Sequence, residues 1–236
     1  MNPHGNDPEL QAVVERYARR PPLDDRYNPL RPDVWQALQE RQRAMLRLLR
    51  AVGITDLSAV RLLEVGCGAG GNLLELLRLG FAPEQLAGID LLSERVARAR
   101  HVLPPAVRLE ARDAITAPVP DASLDIVYVS TVFSSLLDDG TQQRLADAMW
   151  RWLRPGGGVL WYDFVVDNPR NADVRGVPLK RVRELFAHGT LRGRRVTLAP
   201  PLARAVCRVH SGAYTVFNAV PWLRTHVLAW IAKPPR

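Results

Sequence analysis

Two rhythms of apolar and polar positions run along the chain. From Asp33, the residues Val34, Leu38, Met45, Leu48, Leu49 and Val52 recur at helical spacing, with Arg and Gln between them. This predicts a helix capped by Asp33 and ended by Gly53. Short apolar runs then alternate with amphipathic stretches. Val60–Val65, Leu86–Asp90, Val107–Glu110, Leu124–Ser130 and Val159–Phe164 read as strands. Asn72–Leu79, Ser93–Val102 (capped by Ser93), Thr141–Leu153 and Leu179–Ala187 read as helices. Val196–Leu198 and Val227–Ile231 are late strands. Strands alternating with helices predict an α/β fold, a mostly parallel sheet covered on both faces. Residues 1–32 show weak periodicity, and Pro21, Pro22, Pro29 and Pro32 break any long helix there. Residues 1–55 are expected to form an N-terminal helical cap. Residues 56–236 are expected to form one domain, with an irregular insertion at about 199–224.

Composition narrows this picture. The chain has 236 residues, 47% hydrophobic and 24% charged, which suits one ordinary domain and excludes a disordered chain. Two cysteines, Cys67 and Cys207, do not make a disulfide scaffold, and no Cys/His spacing suggests zinc. The opening Met1–Asp7 has no basic segment followed by an apolar one. No apolar run approaches the ~20 residues that span a bilayer. A soluble cytoplasmic protein is the expectation. The formal net charge is +8, and all but Lys180 and Lys233 of the 32 basic residues are arginines. Either an anionic partner such as RNA, phosphate or a membrane surface, or an arginine-rich coding bias, accounts for it.

The strongest chemical signal is Leu62-Leu63-Glu64-Val65-Gly66-Cys67-Gly68-Ala69-Gly70-Gly71-Asn72, a strand running through a glycine turn into a helix. Glycines admit positive φ and let a ligand approach the backbone, and the helix N-terminus offers free N–H groups. Gly66-x-Gly68-x-x-Gly71 fits a dinucleotide fingerprint, with Asp90 roughly 20 residues on. Gly66-x-Gly68-x-Gly70 behind Glu64 fits a second pattern. The loop alone does not choose between a nicotinamide oxidoreductase and the alternative.

The rest of the chain does. Glu64-Val65-Gly66-Cys67-Gly68-Ala69-Gly70 resembles the first motif of class I S-adenosylmethionine (SAM)-dependent methyltransferases. Gly88-Ile89-Asp90-Leu91, Arg112-Asp113-Ala114, Leu124-Asp125-Ile126-Val127 and Leu153-Arg154-Pro155-Gly156-Gly157 resemble its later motifs, in the same order. The resemblance covers residues 60–165 and implies the Rossmann-like class I methyltransferase fold, a mostly parallel seven-stranded α/β sheet with helices on both faces, with SAM as cofactor. It implies that Asp90 takes the ribose hydroxyls, that Leu91 packs on adenine, and that Asp113 and Ala114 meet the adenine edge. Glu64, Gly66, Cys67, Gly68, Gly70 and Asn72 form the glycine-loop side of the site. Ser130 and Thr131 flank the sulfonium. Other segments, including Trp161–Phe164 and Thr197–Arg204, are similar to a bacterial "type 11" subgroup, which implies a small-molecule or sugar hydroxyl as methyl acceptor.

A base is needed where the acceptor loses a proton as it attacks. Asp163, at the end of the fifth strand, is the leading expectation, with His188 and His210 as alternatives. Asn168 and Asn171 are candidate acceptor contacts. No metal is expected. An RNA methyltransferase, a non-catalytic SAM-binding protein and a homodimer remain open.

Overall fold

The computed structural model describes residues 7–19, 28–167 and 171–235. Seven strands form one sheet: β1 (Leu62–Val65), β2 (Leu86–Asp90), β3 (Arg108–Ala111), β4 (Leu124–Ser130), β5 (Leu153–Phe164), β6 (Thr190–Leu198) and β7 (Arg224–Ala232). Their order is β3-β2-β1-β4-β5-β7-β6. The first five pair in parallel, and β7 runs antiparallel to both β5 and β6. The helices are α1 (Pro8–Ala18), α2 (Pro32–Ala51), α3 (Gly71–Leu79), α4 (Ser93–Val102), α5 (Asp139–Trp152), α6 (Leu179–Leu185), α7 (Pro200–Val209) and α8 (Ala213–Asn218). This is the expected Rossmann-like α/β sheet with helices on both faces.

The continuous apolar runs follow from two-sided burial. In β4, Val127 and Val129 join a core with α1, α5 and α6, while Ile126 and Tyr128 join a second core with α2, α3 and α4. The same alternation sends Trp161 of β5 to the first core and Leu160 to the second. The two N-terminal helices thus pack on opposite faces of the sheet. Strand order reverses around β1, which lies between β2 and β4, and a crevice opens at such a switch point beyond the carboxyl ends of the strands.

Several local expectations are corrected. Residues 8–18 are helical despite weak overall periodicity. Asp7 caps α1 by accepting from the Glu9 N–H at 2.9 Å, and Pro8 opens its first turn. Asp33 is in the first turn of α2, not at its cap, where it pairs with Arg31. Ser93 is the first helical residue of α4, and Leu92 occupies the cap position without a side-chain bond. The strand expected from Val159 begins at Leu153: Leu153 pairs with Leu124, and Gly158 with Ile126, so Arg154–Gly157 bulge out of the ladder. The insertion at 199–224 is not irregular. It holds α7 and α8, with Ala203, Val206 and Tyr214 packed under Leu198 in a small core of its own.

Candidate active-site cleft

A cleft of about 510 Å³ opens at the carboxyl ends of β1, β2 and β4. The glycine turn forms its floor. The Gly66 and Cys67 N–H groups both donate to the Ile89 carbonyl, at 2.7 and 3.1 Å, which folds the chain sharply off β1. Gly66 takes φ +71°, and Val132 lies so near that a Cβ there would come within 2.4 Å of it. Asp90 braces the turn from β2, accepting from the Gly68 N–H at 2.8 Å and the Leu92 N–H at 2.9 Å.

Ten of the twelve residues expected on the cofactor side line this cleft: Gly66, Cys67, Gly68, Asn72, Asp90, Leu91, Asp113, Ala114, Ser130 and Thr131. Glu64 and Gly70 do not. Gly70 caps α3 at φ +84° and leaves space for Leu103, so its task is helix packing. Asp113 is held by the Ile115 N–H at 2.8 Å. The Cys67 side chain fills the notch left by Gly88, and burial pushes its thiol up, away from nucleophile chemistry. Thr131 has φ +54°, an uncommon conformation for a β-branched residue, and its N–H donates to the Tyr162 carbonyl.

Glu64 lies beneath the floor, fully buried, with one oxygen accepting from Asn72 Nδ2 at 2.6 Å. Its other oxygen is buried without a partner among the described residues. Asn72 in turn accepts from Arg41 Nη2 at 2.9 Å, and Arg41 pairs with Glu75 and covers the Tyr162 ring. Arg41 and Glu75 line the cleft and were missed in the sequence. Glu75 had a readable signal, three residues after Asn72 on one helix face. Arg41 had none, since α2 approaches only through tertiary packing.

The individual residues of the roof were also missed. Leu10, Val13 and Tyr17 of α1 line the cleft. Glu9 accepts from the Leu137 N–H at 2.7 Å, and Arg16 donates to the Ser135 carbonyl at 2.9 Å, which fixes α1 across the opening. Arg95 bridges roof and floor: its guanidinium lies over the Tyr17 ring at 5.1 Å and against Gly68.

The chain matches the family described as "Methyltransferase domain" over residues 62–157. This match, with the strand order and the glycine turn, supports a class I SAM-dependent methyltransferase. A trans-aconitate 2-methyltransferase from Afipia carboxidovorans is 35% identical over 153 residues, covering 63% of this chain and 56% of that protein. A fatty-acid O-methyltransferase from Mycolicibacterium smegmatis is 32% identical over 167 residues, covering 66% and 59%. The chain thus spans little more than half the length of these curated relatives. An N-methyltransferase from Bradyrhizobium japonicum in complex with S-adenosyl-L-homocysteine superposes with a TM-score of 0.66 at 20% identity. It covers 97% of this chain and 100% of that one, so the likeness of fold extends well beyond the methyltransferase segment.

The expected bases fare differently around this methyltransferase domain. Asp163 does not line the cleft. It is 1% exposed, and its oxygens accept from the Ser134 N–H at 3.0 Å and the Phe164 N–H at 2.9 Å. A base needs a path to the acceptor proton, and this carboxylate has none; it anchors the 133–135 turn instead. His188 is corrected on register. It precedes Thr190, which pairs with Ala232, which pairs with Gly158 near the start of β5. That is the amino end of the parallel strands, opposite the cleft. His210 is exposed beyond α7, with its ring accepting from the Gly212 N–H. Asn171 accepts from the Asp173 N–H in a local turn, and Asn168 lies outside the described residues.

Burial pushes the Glu64 carboxyl up to about 8 and that of Asp163 up to about 7, from ordinary values of 4.5 and 3.8. The folded protein then holds protons that the unfolded chain has released, so stability falls as pH rises through this window. Burial holds His226 down to about 4, which acts in the opposite sense below its ordinary 6.5. The window that isolates the carboxyls is therefore pH 6.5 to 8.5. The melting temperature of the cofactor-free protein is expected to fall across it. Glu64→Gln should flatten that slope; an unchanged slope would remove Glu64 as its source.

Proposed function

We propose that the protein is a SAM-dependent methyltransferase acting on an oxygen of a small, partly apolar organic acid. The residues present fit the cofactor. Gly66 and Gly68 keep the floor free of Cβ atoms, Asp90 and Asp113 put acids at the ends of β2 and β3, and Leu91 and Ala114 give an apolar wall for a purine. When bound, SAM supplies a methyl group already activated on its sulfonium.

The chain's own task is to bind, align and exclude water, and such positioning is worth several kcal/mol. Ser130 and Thr131, at the end of β4, flank the space where donor and acceptor meet. The α1 roof closes that space with Leu10, Val13 and Tyr17.

Arg95 carries the choice of acceptor. It faces the cleft without an ion pair among the described residues, and the same cleft is lined by apolar Val13, Leu136 and Leu145. A cation beside an apolar wall suits an acid with a hydrocarbon body. A carboxylate is already deprotonated and asks for no base, whereas a sugar hydroxyl would need one. Among the described residues lining the cleft, none is a histidine, and Asp90, Asp113 and Glu75 all hold hydrogen bonds or an ion pair. The names of the two relatives, for trans-aconitate and fatty acids, support a carboxylic acid.

Transfer of labelled methyl from SAM should be detected with carboxylic acids in a panel that also holds sugars and phenols. Arg95→Gln should raise the KM for the acid by about tenfold, the worth of one charge-assisted hydrogen bond, while cofactor affinity holds. Turnover of sugars or phenols in place of acids would overturn the reading. An equal loss of cofactor affinity would move Arg95 to the cofactor.

A further inference from the structure

The chain's charge is not spread evenly. All 24 Asp and Glu residues lie at or before Glu184. The last 52 residues carry eight Lys or Arg and no acid, which equals the formal net charge of +8 for the whole chain. Residues 1–184 are therefore neutral in sum, and the basicity belongs to Arg192, Arg194 and Arg195 of β6, Arg204 and Arg208 of α7, Arg224 of β7, and Lys233 and Arg236.

This region also carries apolar side chains in the open. Val209 is 87% exposed, Trp222 81%, Val216 69% and Phe217 41%. In α8 the inner face is taken by Tyr214 and Asn218, which leaves Val216 and Phe217 facing outward. Trp222 stands in the short 3-10 turn Pro221–Leu223, just before Arg224. In α7, Ala203 and Val206 are buried, while Arg208 and Val209 are exposed at its end. No ion pair with a carboxylate forms at Arg194, Arg195, Arg204 or Arg208 among the described residues. The Arg194 guanidinium is held below its ordinary range by partial burial and by the neighbouring Arg47 and Arg224 charges, which outweigh the opposing charge of Glu40. Like charges in excess of acids are unfavourable unless an anion joins them.

The patch faces a definite way. Leu198 pairs with Arg224, and His226 pairs with Phe164 at the carboxyl end of β5. The 199–223 segment therefore leaves and rejoins the sheet at the same end as the cleft.

We propose that residues 199–223 form a docking face for an anionic lipid bilayer. Tryptophan, phenylalanine and valine set among arginines suit the headgroup boundary, which takes apolar side chains and attracts cations at once. A nucleic acid would use the arginines and stack on the aromatic rings but would leave Val209 and Val216 wet. A second copy of the chain would bring two basic faces together. Among the described residues no helix is long and apolar enough to cross a membrane, so the contact is peripheral. Docking there turns the cleft end of the sheet toward the lipid surface.

The test uses the full chain and vesicles of phosphatidylcholine with or without phosphatidylglycerol. The protein is expected to sediment with the anionic vesicles, weakly or not at all with the neutral ones, and less at high salt. Arg204→Gln with Arg208→Gln should lower partitioning by about thirtyfold, given the worth of two cations near a charged surface. Trp222→Ser with Val216→Ser should lower it by at least about tenfold. Unchanged S-adenosylhomocysteine affinity and melting temperature would show that the variants are folded. If one pair fails to fold, the other pair decides. No sedimentation with anionic vesicles, or sedimentation that neither pair alters, overturns the proposal. So does single-stranded RNA binding that needs the arginines but not Trp222 and Val216, or a dimer that Trp222→Ser dissolves. The proposal does not depend on the acceptor, and a failure of methyl transfer would leave these measurements intact.

Discussion

Asp90→Ala is expected to weaken S-adenosylhomocysteine binding by at least about a hundredfold, because a carboxylate accepting two hydroxyls contributes about 1.5–3 kcal/mol for each hydrogen bond. The loss has a second source in this fold. Asp90 holds the Gly68 and Leu92 N–H groups, so its removal also frees the turn that forms the cleft floor. Calorimetry checks both. Asp90→Asn keeps one acceptor oxygen and should fall between wild type and alanine. Asp90→Ala with undiminished affinity would remove Asp90 from the cofactor site altogether. NAD binding without S-adenosylhomocysteine binding would sink the methyltransferase reading for the whole protein.

The second large effect is structural. Gly66→Ala is expected to destabilise the protein by about 2–4 kcal/mol, from about 1–2 for a left-handed residue with a side chain and the rest from overpacking. The new Cβ would lie 2.4 Å from Val132 Cγ2. Val132 is β-branched and follows Thr131, itself at φ +54°, so the valine has little freedom to retreat. Thermal unfolding should show a fall of roughly 4–16 °C. Adding Val132→Ala should recover the overpacking part but not the φ part. A double variant no more stable than Gly66→Ala alone would show that the contact with Val132 is not the source.

Both predictions rest on residues that were legible in the chain, and the reason is local. A strand, a glycine turn and a helix are written in consecutive residues, so Gly66, Gly68 and Asp90 could be placed at strand ends before any tertiary packing was known. The same holds for the order of strands and helices from residue 33 through residue 165. The polar start of β6, Thr190–Arg195, did not read as a strand, because it lies at the edge of the sheet, where arginines face water at no cost. Helix α7 was hidden for another reason. Its apolar stripe is short, and it opens on Pro200-Pro201, which are tolerated in the first turn of a helix but do not announce one.

Charge gave a partial signal. The excess of arginine was visible, but its meaning depended on which arginines find acids after folding. Arg41 meets Glu75 from a different helix, while Arg204 and Arg208 meet none among the described residues.

By itself, then, the sequence determined the alternation of strands and helices, the glycine floor and the acids at the ends of β2 and β3, because each depends on neighbours a few residues away. Tertiary structure alone decided which distant groups join them in the cleft. It brought Arg41 from α2 and Tyr17 from α1 into it, set Asp163 beneath the 133–135 turn, and sent His188 to the opposite end of the sheet. Those outcomes depend on strand register and on which face each helix packs against, and no local spacing encodes them.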